Sequence, residues 1–256
     1  MSEAAERALH IGTSGWHYKH WVGTFYPART PASKMLALYQ EKFDTVELNN
    51  SFYHLPKRPA LENWRESTPP EFCFAAKGSR FLTHMKKLKD AEQGVERFFE
   101  AVDVLGEKLG PILFQLPPNW EVDFDRLASF LRILPGYHRY AFEFRNPTWE
   151  RPEIYQLLNE FKVANCIFDL AGYQSPIEVT TDFTYVRLHG PGGKYQGSYS
   201  DQALAGWAQR IRAWREESRA VYVYFDNDDS GYAAHNALRL KELLGQRTAP
   251  DRPEPS

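Results

Sequence analysis

Polar and apolar residues alternate along Tyr185-Val-Arg-Leu-His189. Val186 and Leu188 need an apolar cover, so they face a helical layer and turn Tyr185, Arg187 and His189 to the other side of a sheet. The same period of two recurs in residues 45–49, where Val46 and Leu48 leave Glu47 and Asn49 on the opposite face. In residues 140–144, Phe142 and Phe144 oppose Ala141 and Glu143, and Arg145 continues the polar face. Further strands are predicted over residues 9–13, 72–76, 111–116, 163–168, 183–188 and 220–225. Between them the period changes to that of helices. Residues 91–109 show it best, through Val95, Phe98, Phe99, Val102 and Leu105. Helices are also predicted over 33–42, 59–66, 123–134 (capped by Asp123), 152–161, 201–217 and 231–244. Residues 171–182 have little helical periodicity.

Strands alternating with helices in this number predict an α/β fold, a single TIM-type (β/α)8 barrel with parallel strands and an irregular segment after the sixth. The barrel domain is expected over 9–245, after a flexible N-terminus at 1–8 and before a polar, proline-rich tail at 246–256 expected to be disordered. An open doubly wound sheet is the competing architecture. Both place a site at the C-terminal ends of the strands.

Applied to every strand, the alternation collects polar residues at that end. Residues 73–77 put Cys73, Ala75 and Lys77 on one side; residues 111–116 pair Leu113 with Gln115; the strand at 220–225 leaves the choice between Asp226 and Asn227 open, and Asn227 is taken as the inward candidate. Charged side chains in strand interiors are costly unless paired. Glu47, Glu143 and His189 are therefore the candidate catalytic groups, as carboxylate bases with an imidazole partner. Asn49, Lys77, Gln115, Arg145, Arg187 and Asn227 are candidate substrate contacts. The loop after Leu188 adds Gly192, Gly193 and Lys194, whose backbone N–H groups and ammonium suit an anion. Trp16, Phe52, Tyr53 and Trp149 follow predicted strands and form a candidate aromatic rim. The bland alternative is that the two glutamates only neutralise Lys77, Arg145 and Arg187 in a closing ion network.

The composition is that of an ordinary globular chain, with 256 residues, 43% hydrophobic and 25% charged. A formal charge of −2 gives no global attraction to nucleic acid or an anionic membrane. No apolar run approaches the ~20 residues of a membrane span, and the N-terminus lacks a signal-peptide core, so a cytoplasmic location is expected. Cys73 and Cys166 lie in apolar runs and read as buried free thiols. No metal-ligand spacing, strand-linked dinucleotide fingerprint or P-loop occurs, so neither metal nor cofactor is expected.

Six segments together, IGTSGWHYKHWVGTFYP, VELNNSFYHLP, ILFQLPPNW, AFEFRNPTW, YVRLHGPGGKY and VYVYFDND, resemble the YecE-like family, catalogued as domain of unknown function 72. The resemblance runs from about Leu9 to Leu244. It implies a single TIM-type barrel, and a loose relation of fold and site position to sugar isomerases. It implies no defined activity.

The residues fit an enzyme acting by acid–base chemistry on a small anionic, phosphorylated or carboxylated, sugar-like substrate. Other readings compete. Glu47, Glu143, Asp169, His189 and Asp226 offer ligands for a metal-dependent isomerase or phosphodiesterase, against which the three inward cations argue. Glu47 and Glu143 form a conceivable glycosidase pair, but the fourth and seventh strands end in Gln115 and His189 where barrel glycosidases place acids. The aromatic loops beside Lys19, Lys57 and Arg58 suit nucleic acid, for a binder or nuclease, although the net charge does not favour it. A non-catalytic ligand-binding barrel is the last alternative. Oligomeric state is not encoded in any pattern found.

Overall fold

Parallel strands in sequential order build the computed structural model, which describes residues 8–217 and 219–246. The barrel strands are β1 (Leu9–Thr13), β2 (Thr45–Leu48), β3 (Cys73–Lys77), β4 (Leu109–Gln115), β5 (Tyr140–Glu143), β6 (Ala164–Leu170), β7 (Phe183–Leu188) and β8 (Ala220–Phe225). Each pairs in parallel with its sequence neighbour from β2 through β8, and β8 pairs with β1. The remaining seam is joined by one parallel bridge, Ser14 to Glu47. This is a nearly closed TIM-type barrel, as the strand count predicts, and not an open sheet.

The shell contains α1 (Met35–Tyr39), α2 (Arg58–Ser67), α3 (Glu92–Val102), α4 (Phe124–Ile133), α5 (Pro152–Glu160), α6 (Asp201–Glu216) and α7 (Tyr232–Leu243). Asp123 caps α4 by accepting from the Arg126 amide at 3.1 Å. The helix expected over 91–109 divides. It ends at Val102, and a 3-10 segment follows, Asp103–Lys108, in which Gly106 at φ 57° turns the chain into β4. After β6 there is no crossover helix. A two-residue antiparallel strand, Tyr173–Gln174, folds back on β6 instead. The Ser175 and Thr180 hydroxyls then accept from the Phe168 and Asn165 amides, each at 2.8 Å.

Val46, Leu48, Phe74, Ile167, Val186, Leu188, Val221, Val223 and Phe225 pack outward against the helices. Inside, small residues face large ones: Ala75, Ala141, Ala164 and Cys166 leave room for Phe183, Tyr185, Tyr222 and Tyr224. Both faces of β8 are thus apolar, and its tyrosines point inward. Cys166 is buried, Cys73 is half-buried, and both are free thiols. Among the described residues, no helix is long and apolar enough to cross a membrane. The expectations for 1–8 and 246–256 lie outside the described residues except at Ala8 and Gln246. The Ala8 carbonyl accepts from the Val221 amide at 2.8 Å, and the Gln246 side chain donates to the Leu9 carbonyl at 3.2 Å.

Candidate functional site

The polar ends of the strands meet around one guanidinium. Arg187 on β7 is fully buried. Its Nη2 and Nε donate to Glu47 Oε1 and Oε2 at 2.7 and 3.0 Å, Nη1 donates to Glu143 Oε2 at 2.8 Å, and Nη2 reaches Asp226 Oδ2 at 3.1 Å. Glu47 also accepts from Ser14 Oγ at 2.7 Å and Tyr185 Oη at 2.6 Å. Glu143 Oε1 accepts from Arg145 Nε. Gln115 Oε1 lies 3.5 Å from Arg187 Nη1. Burial pushes the Glu143 carboxyl up, but Arg145 and Arg187 outweigh it and hold it well below the usual carboxylate range. Where a metal-centred reading would put a cation among these acids, Arg187 already stands. Among the described residues, no group of three His, Cys, Asp or Glu is arranged to hold a metal ion.

His189, also fully buried, is fixed on both ring nitrogens. Arg145 Nη2 stands 2.8 Å from Nε2, and Asp226 Oδ2 stands 3.1 Å from Nδ1. A guanidinium can only donate, so Nε2 accepts and Nδ1 carries the proton toward Asp226. The Arg145 guanidinium in turn lies over the Phe168 ring, 4.8 Å from its centroid.

Above this network opens a cavity of about 540 Å³. Asn49, Tyr53, Lys77 and Lys194 line it, together with Tyr18, His20, Tyr195, Gln196, Asp226, Asp228 and Asp229. Asn49 Oδ1 is buried there without a hydrogen-bond partner among the described residues. Lys77 Nζ sits over the Phe52 ring, 4.5 Å from its centroid, and has no ion pair among the described residues. Burial, and then the charge of Arg187, lower its pKa from 10.5 to about 8.

Two aspartates on the turn after β8 share the cavity and are held in opposite senses. Burial pushes Asp226 up, but the hydrogen bond with His189 and the Arg187 charge prevail and keep it below its ordinary value. Asp228 accepts from Trp21 Nε1 at 2.6 Å and has His20 Nε2 2.9 Å away. Burial dominates there and raises its pKa from 3.8 to about 6.

Several candidates stand elsewhere than the sequence suggests. Asn227 faces away from the barrel interior, donating to the Gly197 carbonyl and Asn236 Oδ1, each at 2.8 Å. Because Tyr222 and Tyr224 occupy the inward phase of β8, Asp226 continues it and Asn227 cannot. Trp16 packs edge-on against Trp64 in the helical layer, and Trp149 is fully buried with Nε1 donating to the Trp120 carbonyl at 2.8 Å. Neither forms a rim. Phe52 lies beneath Lys77, while Tyr53 is 70% exposed at the mouth. Gly192 and Gly193 do not line the cavity. The Gly192 amide donates to the Gln196 carbonyl at 3.3 Å, closing the loop on itself, and the loop offers Lys194 and Tyr195 side chains instead. Asp169 points outward and accepts from Tyr199 Oη at 3.1 Å. Sequence reasoning missed Asp228, in a loop, and His20, in the single 3-10 turn Lys19–Trp21, neither of which has a periodic pattern. Asp226 was reachable only by knowing which apolar face of β8 turns inward.

Residues 10–256 match the family profile described as "Protein of unknown function DUF72". The chain is 29% identical over 269 residues to the UPF0759 protein YunF of Bacillus subtilis, spanning 92% of this chain and 94% of that protein. It is also 29% identical over 140 residues to the UPF0759 protein YecE of Escherichia coli, a match covering 54% of this chain and about half, 49%, of that relative. The crystal structure of a DUF72 family protein from Thermotoga maritima superposes with a TM-score of 0.85 at 28% identity, covering 93% of this chain and 99% of that one. A DUF72 family protein from Enterococcus faecalis shares the fold, with a TM-score of 0.78 at 20% identity over 96% of this chain and 100% of that one.

Proposed function

Given that the chain belongs to the DUF72 family, we propose that its barrel mouth is an enzyme site working by acid–base chemistry on a small sugar-like substrate that carries an anionic group. The observation that carries this reading is the pair Asp226 and Asp228. They line one cavity, and their surroundings drive their protonation apart. Two carboxyls separated in this way divide the work of base and acid. Asp226, kept ionised, accepts a proton from a substrate carbon or hydroxyl. Asp228, with a pKa of about 6, delivers one near neutral pH.

The roles first considered for Glu47 and Glu143 pass to this pair. Both glutamates are fully buried and saturated by Arg187, Arg145, Ser14 and Tyr185, beneath the cavity wall. Arg145 and Arg187 are engaged in the same way, so Lys194 at the cavity mouth is left to seat an anionic group. Tyr53 and Tyr195 offer ring faces for a sugar, and the unpartnered Asn49 Oδ1 is an acceptor for a hydroxyl.

A panel of phosphorylated and carboxylated sugars tests the reading, with turnover and solvent-deuterium incorporation followed by mass spectrometry. Asp226→Asn and Asp228→Asn are each expected to lower the rate by about 10²-fold or more. Turnover unchanged by either substitution removes the proposal.

A further inference from the structure

Lys77 lines this mouth but takes no part in the ion network around Arg187. It ends β3, is 8% exposed, and borders the cavity. Its backbone carbonyl is held by Ser51 Oγ at 2.7 Å, which anchors the base of the side chain. Its Nζ rests on the Phe52 ring and pairs with no carboxylate among the described residues, although Asp226 lines the same cavity. Phe52 is itself clamped edge-on by His84 at 5.0 Å, so the platform is packed in place. A lysine meant only to neutralise acids would reach them, as Arg187 does. The Phe52 ring face attracts an ammonium, but the burial of Lys77 at the cavity wall and the nearby Arg187 charge outweigh it and set Lys77 up to be a neutral amine.

From this geometry we infer that Lys77 forms an imine with the carbonyl carbon of an aldehyde or ketone substrate. The inference rests on the mouth being a catalytic site and names the substrate class, a carbonyl compound, with Lys194 left to seat its anionic group. In the step, the Nζ lone pair attacks the carbonyl carbon, a C–N bond forms, and the carbonyl π pair moves to oxygen. The nitrogen loses a proton and the oxygen gains one, relayed by a cavity carboxylate, to give the carbinolamine. The C–O bond then breaks, the hydroxyl leaves with a second proton from nitrogen as water, and a C=N bond remains. One carbonyl oxygen and the two amine hydrogens depart as one water, with no redox change. The amine's pKa of about 8 leaves a substantial neutral fraction at pH 7.5, where an ordinary lysine has about one part in a thousand.

Reductive methylation tests this without knowledge of the natural substrate. The full-length protein is treated at pH 7.5 with limiting ¹³C-formaldehyde and sodium cyanoborohydride, which reduces the imine as it forms. Sites are mapped by peptide mass spectrometry. Lys77 is expected to be methylated at least about ten-fold faster than the mean surface lysine, and its ¹³C-methyl resonance to titrate near pH 8. Lys77 left unmodified while surface lysines react overturns the inference. As a second arm, the sugars turned over are incubated with sodium borohydride. An adduct on Lys77 that is lost in Lys77→Met supports the imine, and turnover retained in Lys77→Met overturns it. Failure of these arms leaves the effects of Asp226→Asn and Asp228→Asn standing. Failure of those aspartate variants to lose turnover leaves the Lys77 labelling standing, so the two ideas fall separately.

Discussion

Arg187 holds Glu47 through two parallel hydrogen bonds, Nη2 to Oε1 at 2.7 Å and Nε to Oε2 at 3.0 Å, with neither side chain touching solvent. Such a fork fixes both the distance and the plane of the pair. It also ties β7 to β2 across the barrel, beside the seam that the Ser14–Glu47 bridge closes. The pair therefore braces the end of the barrel on which the cavity stands.

Glu47→Gln tests that bracing role. It keeps the shape but removes the charge opposite Arg187. Breaking a buried pair from one side costs about 3–5 kcal/mol. For a chain of this size that is a fall in melting temperature of roughly 6–20 °C. Differential scanning calorimetry checks it, and a variant melting within a degree of the parent would show that the pair contributes nothing to stability.

Acid should unfold the protein by way of the same network. Glu143 and Asp226 have folded pKa values below their ordinary 4.5 and 3.8. The stability they contribute is complete above those ordinary values and is lost as pH falls toward the folded ones. The melting temperature should drop steeply on acidification below about pH 4. In Arg187→Met, Glu143 and Asp226 lose one shared cation but keep Arg145 and His189, so their pKa values move up toward the ordinary ones. Less stability then depends on their ionisation, so this variant, less stable overall, should lose less of its melting temperature on acidification than the parent. Melting curves across pH for both proteins decide it.

What the sequence could reveal follows from which faces differ in polarity. Val186 and Leu188 against Arg187 and His189 leave one arrangement, and Arg187 and His189 indeed face inward. The segment Ala-Val-Tyr-Val-Tyr-Phe of β8 is apolar on both faces, so alternation cannot orient it, and Asn227 was chosen over Asp226 for lack of contrast. Trp16 and Trp149 follow strands as a rim would, but loop geometry decides where they pack, and both turn into the shell. The pairing of Arg187 with three acids could not be read from composition, because it depends on strand register. The (β/α)8 count was legible because each unit repeats one change of period. The segment after β6 was legible as irregular, though not as a hairpin held by Ser175 and Thr180.

Asn227→Ala separates the outer face of this turn from the inner one. The substitution removes two donated hydrogen bonds and leaves the Gly197 carbonyl and Asn236 Oδ1 short of a partner. A cost of about 1–3 kcal/mol is expected in denaturant unfolding. Turnover at the mouth should persist, since Asn227 does not line the cavity. A variant with full stability but lost turnover would place Asn227 in the site after all.

The pH profile of kcat/KM joins the acid–base pair to the amine. Asp228 changes protonation near pH 6 and Lys77 near pH 8. A rate proportional to one protonated carboxyl and one neutral amine has the same bell shape as a rate proportional to the opposite forms. Either way, activity should fall on the acid side through about 6 and on the alkaline side through about 8. Asp228→Asn should erase the limb near 6 in whatever activity remains, because that limb is assigned to its carboxyl. Asp226→Asn should lower the whole curve and move both limbs to lower pH, since the Asp226 charge raises the Asp228 pKa and opposes the lowering at Lys77. A single limb at another pH in the parent enzyme would mean that a different group carries the proton, and the roles given to Asp228 and Lys77 would both have to be withdrawn.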